Sequence, residues 1–265
     1  MKDKSPQPFR RRASEAKRVG LARALSKLGF CSRSQAFNLI REGKVRLNGS
    51  IVHNPESPVR TGKDRILVDG QPLAAAEKIY LVLNKPRGIV TTAADEKGRD
   101  TVYSLLPPDL PWIAPVGRLD KASEGLLLLT NDSEWAARIS DPASHLDKTY
   151  HVQISVVASP QLLETLERGI NIFNDGVLKA KRAIALRTGE KHSWIEIVLD
   201  EGKNRQIRRM LDALGVEVLR LIRVSIGPVQ LGELRKGAGR PLRPEEKLSL
   251  DRALFALSNA RRKSP

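Results

Sequence analysis

The chain has 265 residues, 40% of them hydrophobic and 29% charged, and its 46 Lys and Arg against 30 Asp and Glu leave a net charge of +16. That balance excludes a chain disordered throughout and makes a polyanion the expected partner. No apolar run reaches the ~20 residues of a membrane-spanning helix, and the single cysteine, Cys31, excludes an internal disulfide and a cysteine-based zinc site. Met1 to Arg18 holds no apolar stretch of the secretory type, so a cytoplasmic protein with no membrane attachment is expected.

In chain order, residues 1–17 read as a flexible basic arm around Arg10-Arg11-Arg12. Leu21, Leu25 and Leu28 recur at helical spacing up to Gly29, and Ser32 with Gln35 forms a capping box that opens a second helix ending before Gly43. Val45 to Leu47, the turn Asn48-Gly49 and Ile51-Val52 predict a hairpin, followed by a strand at Ile66 to Val68 and a linker at Ala74 to Glu77. Beyond it the predicted strands are Tyr80 to Leu83, Gly125 to Leu129, Tyr150 to Val157, Ala183 to Arg187, Trp194 to Leu199 and Val216 to Ile226. Helices are expected at Ser133 to Ile139, at Gln161 to Arg168 behind Ser159-Pro160, and at Asn204 to Leu214 before Gly215, with a turn near Tyr103 to Leu106. Ile170 to Phe173 and Val177 to Lys179, joined through Asn174-Asp175-Gly176, favour antiparallel pairing over repeated βαβ units. Arg252 to Pro265 reads as a short helix running into a basic tail.

The charge is uneven. Residues 1–80 hold 17 basic and 7 acidic side chains, net +10, which leaves net +6 for the other 185. The first third is therefore the expected nucleic-acid anchor, through Arg23, Lys27, Arg33, Lys44 and Arg46.

Several chemistries find no support. His53, His145, His151 and His192 lack metal-ligand spacing, and no G-x-S-x-G, G-x-x-x-x-G-K-[ST] or G-x-G-x-x-G occurs, so neither metal nor cofactor is expected. The informative stretch is Gly117-Arg118-Leu119-Asp120, which leads through Lys121-Ala122-Ser123-Glu124-Gly125 into the run Leu126 to Leu129 and Thr130-Asn131-Asp132. A carboxylate in a polar loop ahead of a strand apolar on both faces is held at the mouth of a core, where an aimed catalytic group belongs. By itself Asp120 reads more readily as a residue that caps its own turn, since Asp commonly bonds its own turn.

With three further blocks in order, Asn84-Lys85-Pro86-Arg87-Gly88, Lys148-Thr149-Tyr150 and Glu201-Gly202-Lys203-Asn204-Arg205-Gln206-Ile207-Arg208-Arg209-Met210, this stretch resembles the signature of RNA pseudouridine synthases. The branch is the RsuA/RluB type, which modifies ribosomal RNA. Leu21-Ala22-Arg23-Ala24-Leu25, Ser32-Arg33-Ser34-Gln35-Ala36 and Gly43 to Gly49 resemble the RNA-binding module first seen in small-subunit ribosomal protein four. Ser123 stands where that family usually has Thr, and Ser133 where it has Gly.

The resemblance implies an α+β protein: a small helical and β RNA-binding domain at 18–76, a catalytic domain at 78–250 built on a bent, mainly antiparallel mixed sheet, and a basic tail at 251–265. It implies isomerisation of one or more ribosomal RNA uridines, with the large subunit favoured over the small, by a monomer whose partner is ribosomal RNA or a pre-ribosomal particle. Asp120 is then the nucleophile or base on a flipped-out nucleotide. Arg208 holds it ionised, and Tyr150 stacks on the base and takes the C5 proton. Leu221 forms the apolar wall, and Arg118 displaces the base or grips its phosphate. Lys203, Asn204, Arg205 and Gln206 contact substrate, while Lys85 and Arg87 serve as phosphate contacts or loop structure. The residues themselves leave alternatives: a solvated helix face for Arg208 and a core tyrosine at 150. The rival function is a non-catalytic rRNA-binding or ribosome-assembly factor of the same fold.

Overall fold

The computed structural model describes residues 18–92, 97–173 and 175–263, the side chains from 260 onward excepted. The expected basic arm over 1–17 and Asn174 of the predicted turn lie outside the described residues, as do the side chains of the basic end of the tail. The chain divides into two units at Ala76 and Glu77, inside the predicted linker.

In the first unit the helices Leu21–Lys27 and Arg33–Arg41 form as their spacing dictates. Both are too short to persist alone in water, so burial of Leu21, Leu25, Ala36 and Ile40 against Val45, Val59, Ile66 and Val68 stabilises them. Ser32 Oγ accepts from the Gln35 backbone N–H and Gln35 Oε1 accepts from the Ser32 backbone N–H, a cap that contributes about 1 kcal/mol. Asn48 and Gly49 both adopt positive φ, and the hairpin they close joins a four-stranded antiparallel sheet ordered Ser50–Ile51, Val45–Leu47, Ile66–Val68, Gln71–Pro72. Arg23, Arg33, Lys44 and Arg46 are exposed on this unit, and Lys27 is half-buried.

The second unit is built on a nine-stranded mixed sheet. Its main path runs Arg182–Thr188, Ser193–Leu199, Lys148–Ile154, Val218–Ile226, Glu124–Thr130, Tyr80–Lys85, Gly239–Pro241. Neighbours on this path are antiparallel except Glu124–Thr130 against Val218–Ile226, which run parallel. All seven residues of Glu124–Thr130 are buried. Leu126 and Leu128 enter a core with Val82, Trp135, Ile226 and Leu250, while Leu127 and Leu129 enter a second with Leu83, Val102, Ile113 and Leu119. A strand with a core on each face has no polar side, which is why its sequence lacks alternation. A third core lies under Lys148–Ile154 and Ser193–Leu199, where Ile207, Met210 and Leu211 of the helix Gln206–Asp212 cover the sheet together with Leu166 of Pro160–Arg168.

Two elements differ from expectation. The helix expected from Asn204 begins at Gln206, because Arg205 takes a left-handed backbone with φ 49° and caps the helix instead of joining it. The C-terminal helix spans Pro244–Lys263, so the domain limit expected at 250 falls inside it. Leu250 and Leu254, one turn apart, are buried in the same core as Trp135, whose indole donates to Asp251 at 2.9 Å. That packing extends the helix past the expected boundary and makes it part of the second unit.

Candidate active site

At the end of Glu124–Thr130 where the strand begins, a cleft of about 380 Å³ opens, lined by Asp120, Tyr150, Arg208, Leu221 and their neighbours. Of the residues predicted for the site, Arg118, Lys203, Asn204, Arg205 and Gln206 also line it, and Lys85 and Arg87 do not. Four segments far apart in sequence thus converge on one cavity.

Asp120 sits in a loop tied down from three sides. Lys85 Nζ donates to the carbonyls of Pro86, Asp120 and Ser123 at 3.0, 3.1 and 2.9 Å. Thr91 Oγ1 donates to the Leu119 carbonyl at 2.9 Å, and Arg208 Nη2 donates to the Ala122 carbonyl at 3.1 Å. Lys85 is 0% exposed, so it is a loop anchor and not the phosphate contact offered as one of its two readings. Burial pushes its ammonium down to about 8, against the pull of Asp120 and Glu124. Arg87 is exposed, outside the cleft wall.

The cation in contact with the Asp120 carboxylate is Arg205, whose Nη1 donates to Oδ2 at 3.3 Å. Arg208, expected in that role, is half-buried and spends its donors on Ala122 and, at 3.5 Å, on the Val218 carbonyl. It is not a solvated helix face. Burial and the charges of Arg205 and Arg87 lower its pKa, and Asp120 opposes them, so it feels the carboxylate without a direct bond to it. The motif alone could not separate the two arginines, because the left-handed Arg205 backbone that aims one of them is a property of the folded loop.

Tyr150 lies on Lys148–Ile154, half-buried, packed on the core that contains Leu221 and facing the cleft. It is both a cleft wall and a core neighbour. Sequence reading missed Glu124, 3% exposed, which takes two bonds from Arg220 at 3.0 and 3.1 Å and pairs with Lys236 at 2.7 Å. Its charged partners hold its pKa down despite burial, which acts the other way. It also missed Lys148 and Arg223 as cleft residues. The available signals were the places of Glu124 and Lys148 inside the signature blocks and, for Arg223, the interruption of an apolar strand by arginine. Among the described residues no three His, Cys, Asp or Glu converge to hold a metal ion, and no helix is long and apolar enough to cross a membrane.

The comparisons with known proteins agree with this geometry. The RNA pseudouridylate synthase family matches residues 79–213 and the S4 domain matches residues 19–66. The chain is 39% identical over 227 residues to "Ribosomal large subunit pseudouridine synthase B" of Bacillus subtilis, covering 85% of this chain and 93% of that protein. It is 36% identical to an uncharacterized RNA pseudouridine synthase of Aquifex aeolicus, over 89% of this chain and 95% of the relative. A solved pseudouridylate synthase superposes with a TM-score of 0.62 at 30% identity, covering 88% of this chain and 99% of that one. Matched over half its length by the family and over most of it by these relatives, with the signature loop at the mouth of the cleft, the chain belongs to the RNA pseudouridylate synthases and carries an S4 domain ahead of its catalytic unit.

Proposed function

We propose that this enzyme converts a specific uridine of ribosomal RNA, in the large subunit, to pseudouridine, with Asp120 as the carboxylate that acts on the sugar of a flipped-out nucleotide. The observation that carries the reading is the Asp120 loop: one carboxylate at the cleft mouth, paired with Arg205 and fixed by Lys85, Thr91 and Arg208. Isomerisation breaks the N1–C1′ bond and joins C5 to C1′ without redox change or an added group. A positioned carboxylate is sufficient to attack C1′ or to take a proton from the sugar. Tyr150 and Leu221 offer a planar ring and an apolar wall to a base. The large-subunit assignment rests on the likeness to the Bacillus large-subunit synthase.

The test is to map pseudouridines in ribosomal RNA from a deletion strain, and from the same strain complemented with the wild type or with Asp120→Asn. One large-subunit position should lose its pseudouridine on deletion and regain it with the wild type only. The purified variant should bind the RNA within a few-fold of the wild type, since phosphate contacts carry affinity. Restoration by Asp120→Asn would remove Asp120 from the chemistry. An RNA bound but never modified by the wild type would favour the non-catalytic assembly factor.

A further inference from the structure

Buried side-chain polar atoms are almost always hydrogen-bonded. Among the described residues five lack a partner, on Ser123, Gln206, Arg208, Arg209 and Arg223, and four of those five residues line the cleft. Donors and acceptors concentrated there without partners imply a guest that brings its own. One of them stands at a particular point. Arg223 is 6% exposed, its Nε donates to the Leu126 carbonyl at 2.8 Å, and its Nη2 is buried with no acceptor.

The strand register puts Arg223 opposite Tyr150 in the antiparallel pair, so the two side chains rise from the same face of the sheet. Lys148, two residues from Tyr150, shares that face and also lines the cleft. Burial and the Arg223 charge push the Lys148 ammonium down, with Asp200 and Asp147 opposing. Two cations side by side among Leu199, Leu221 and Ile226 are an unfavourable arrangement until negative charge arrives.

The source of that charge follows from depth. A nucleotide inside an RNA strand keeps its phosphates at the surface, where the chain continues, and the exposed Arg118, Lys203 and Arg205 are there to meet them. The buried wall receives the base. We propose that Arg223 binds a carbonyl oxygen of the target uracil and carries the charge the base acquires as it leaves the sugar. The proposal rests on the uridine-isomerising reading above. When the N1–C1′ bond breaks, its electron pair moves onto N1 and spreads over O2 and O4, whether Asp120 bonds to C1′ or removes a sugar proton. The charge is discharged when C5 bonds to C1′, a step that breaks the Asp120–C1′ bond and frees the carboxylate or, in the other route, returns the sugar proton from Asp120 to C2′; the C5 proton then departs and N1 is protonated. A guanidinium already fixed through Nε to Leu126 needs no reorganisation to meet that charge.

The test uses the full-length enzyme and the rRNA fragment it modifies, made with uridine, 2-thiouridine or 4-thiouridine at the target and tritium at C5, and reads single-turnover tritium release. Sulfur accepts hydrogen bonds poorly, so one thio substitution should slow the wild type about tenfold. Arg223→Gln should slow the oxygen substrate roughly 100-fold in kcat with RNA affinity within threefold, and sulfur should cost it little more. Arg223→Lys, which keeps the charge, should lie between. Both thio substrates reacting at the oxygen rate with the wild type would overturn the proposal without recourse to any variant. An equal sulfur penalty in wild type and Arg223→Gln would reduce Arg223 to a tether for Leu126. No release from the unmodified sequence by the wild type would strike the isomerising reading itself and the proposal with it.

Discussion

Arg205 and Arg208 stand three residues apart and divide the care of one loop. Arg205 contacts the carboxylate of Asp120, but both side chains are partly exposed, so water weakens the pair. Arg208 grips the Ala122 backbone from a half-buried position and fixes where the carboxylate sits. Geometry of this kind is lost when a two-pronged guanidinium becomes an ammonium. Arg208→Lys should therefore cut kcat more than Arg205→Met does, with RNA affinity little changed in the first. Single-turnover rates at saturating enzyme decide it, and the reverse order would return the dominant role to the direct ion pair. Lys85 makes a second residue-scale claim, about pH. Its folded pKa, about 8, lies below the ordinary value of 10.5, so between those limits the unfolded chain binds more protons than the folded one. Its contribution to stability must then rise with pH across roughly 8 to 10.5 and be flat below, with a slope of at most about 1.4 kcal/mol per pH unit. Urea unfolding of wild type and Lys85→Met at pH 7, 8, 9 and 10 reads the difference. A wild-type advantage that shrinks with rising pH would contradict the buried ammonium.

At the scale of elements, the strand Glu124–Thr130 holds the site together. Tyr80–Lys85 pairs along one of its edges, and along the other Ile222 and Arg223 give way to Ala114–Val116. The parallel contact is close enough to forbid a side chain: a Cβ on Gly125 would lie 2.3 Å from the Arg223 carbonyl oxygen, and its φ is +103°. Gly125→Ala should cost at least about 2 kcal/mol and reduce turnover further, because the Asp120 loop enters the strand here. A urea midpoint like the wild type's would mean that the two strands separate without penalty. This strand was legible from four consecutive leucines, since only an element with a core on both faces has that composition. The short strands Ala114–Val116 and Gly239–Pro241 were not, because Pro115 and Pro241 argue against a ladder unless the chain pairs at an edge, and edges are fixed by tertiary structure. The site divides the same way. Motif order brought Asp120, Tyr150, Arg208 and Leu221 to one cleft, but the ion pair to Arg205 and the cleft-facing Arg223 depend on a left-handed residue and a strand register that no spacing encodes.

For the molecule as a whole, charge and chemistry fall in different units. The core of the first unit is drawn from residues 19–73 and those of the second from 79–257, so each unit closes its own hydrophobic interior. Arg23, Arg33, Lys44 and Arg46 are exposed on the first, which holds no group of the cleft. We therefore expect residues 77–265 to fold and unfold cooperatively after removal of the S4 domain and to retain the chemical step on saturating RNA. Affinity should fall, and the slope of log affinity against log salt should become shallower by roughly 0.7 to 0.9 for each phosphate that the shortened enzyme no longer neutralises. Binding of the target rRNA fragment across a salt series, for full-length and shortened enzyme, measures both quantities. Equal affinity with equal slope would mean that the S4 domain does not grip this RNA. Equal slope with weaker binding would mean that it acts through uncharged groups, against the expectation drawn from the net +10 of residues 1–80. A shallower slope with turnover intact would assign the grip on the polyanion to the first unit and the isomerisation to the second.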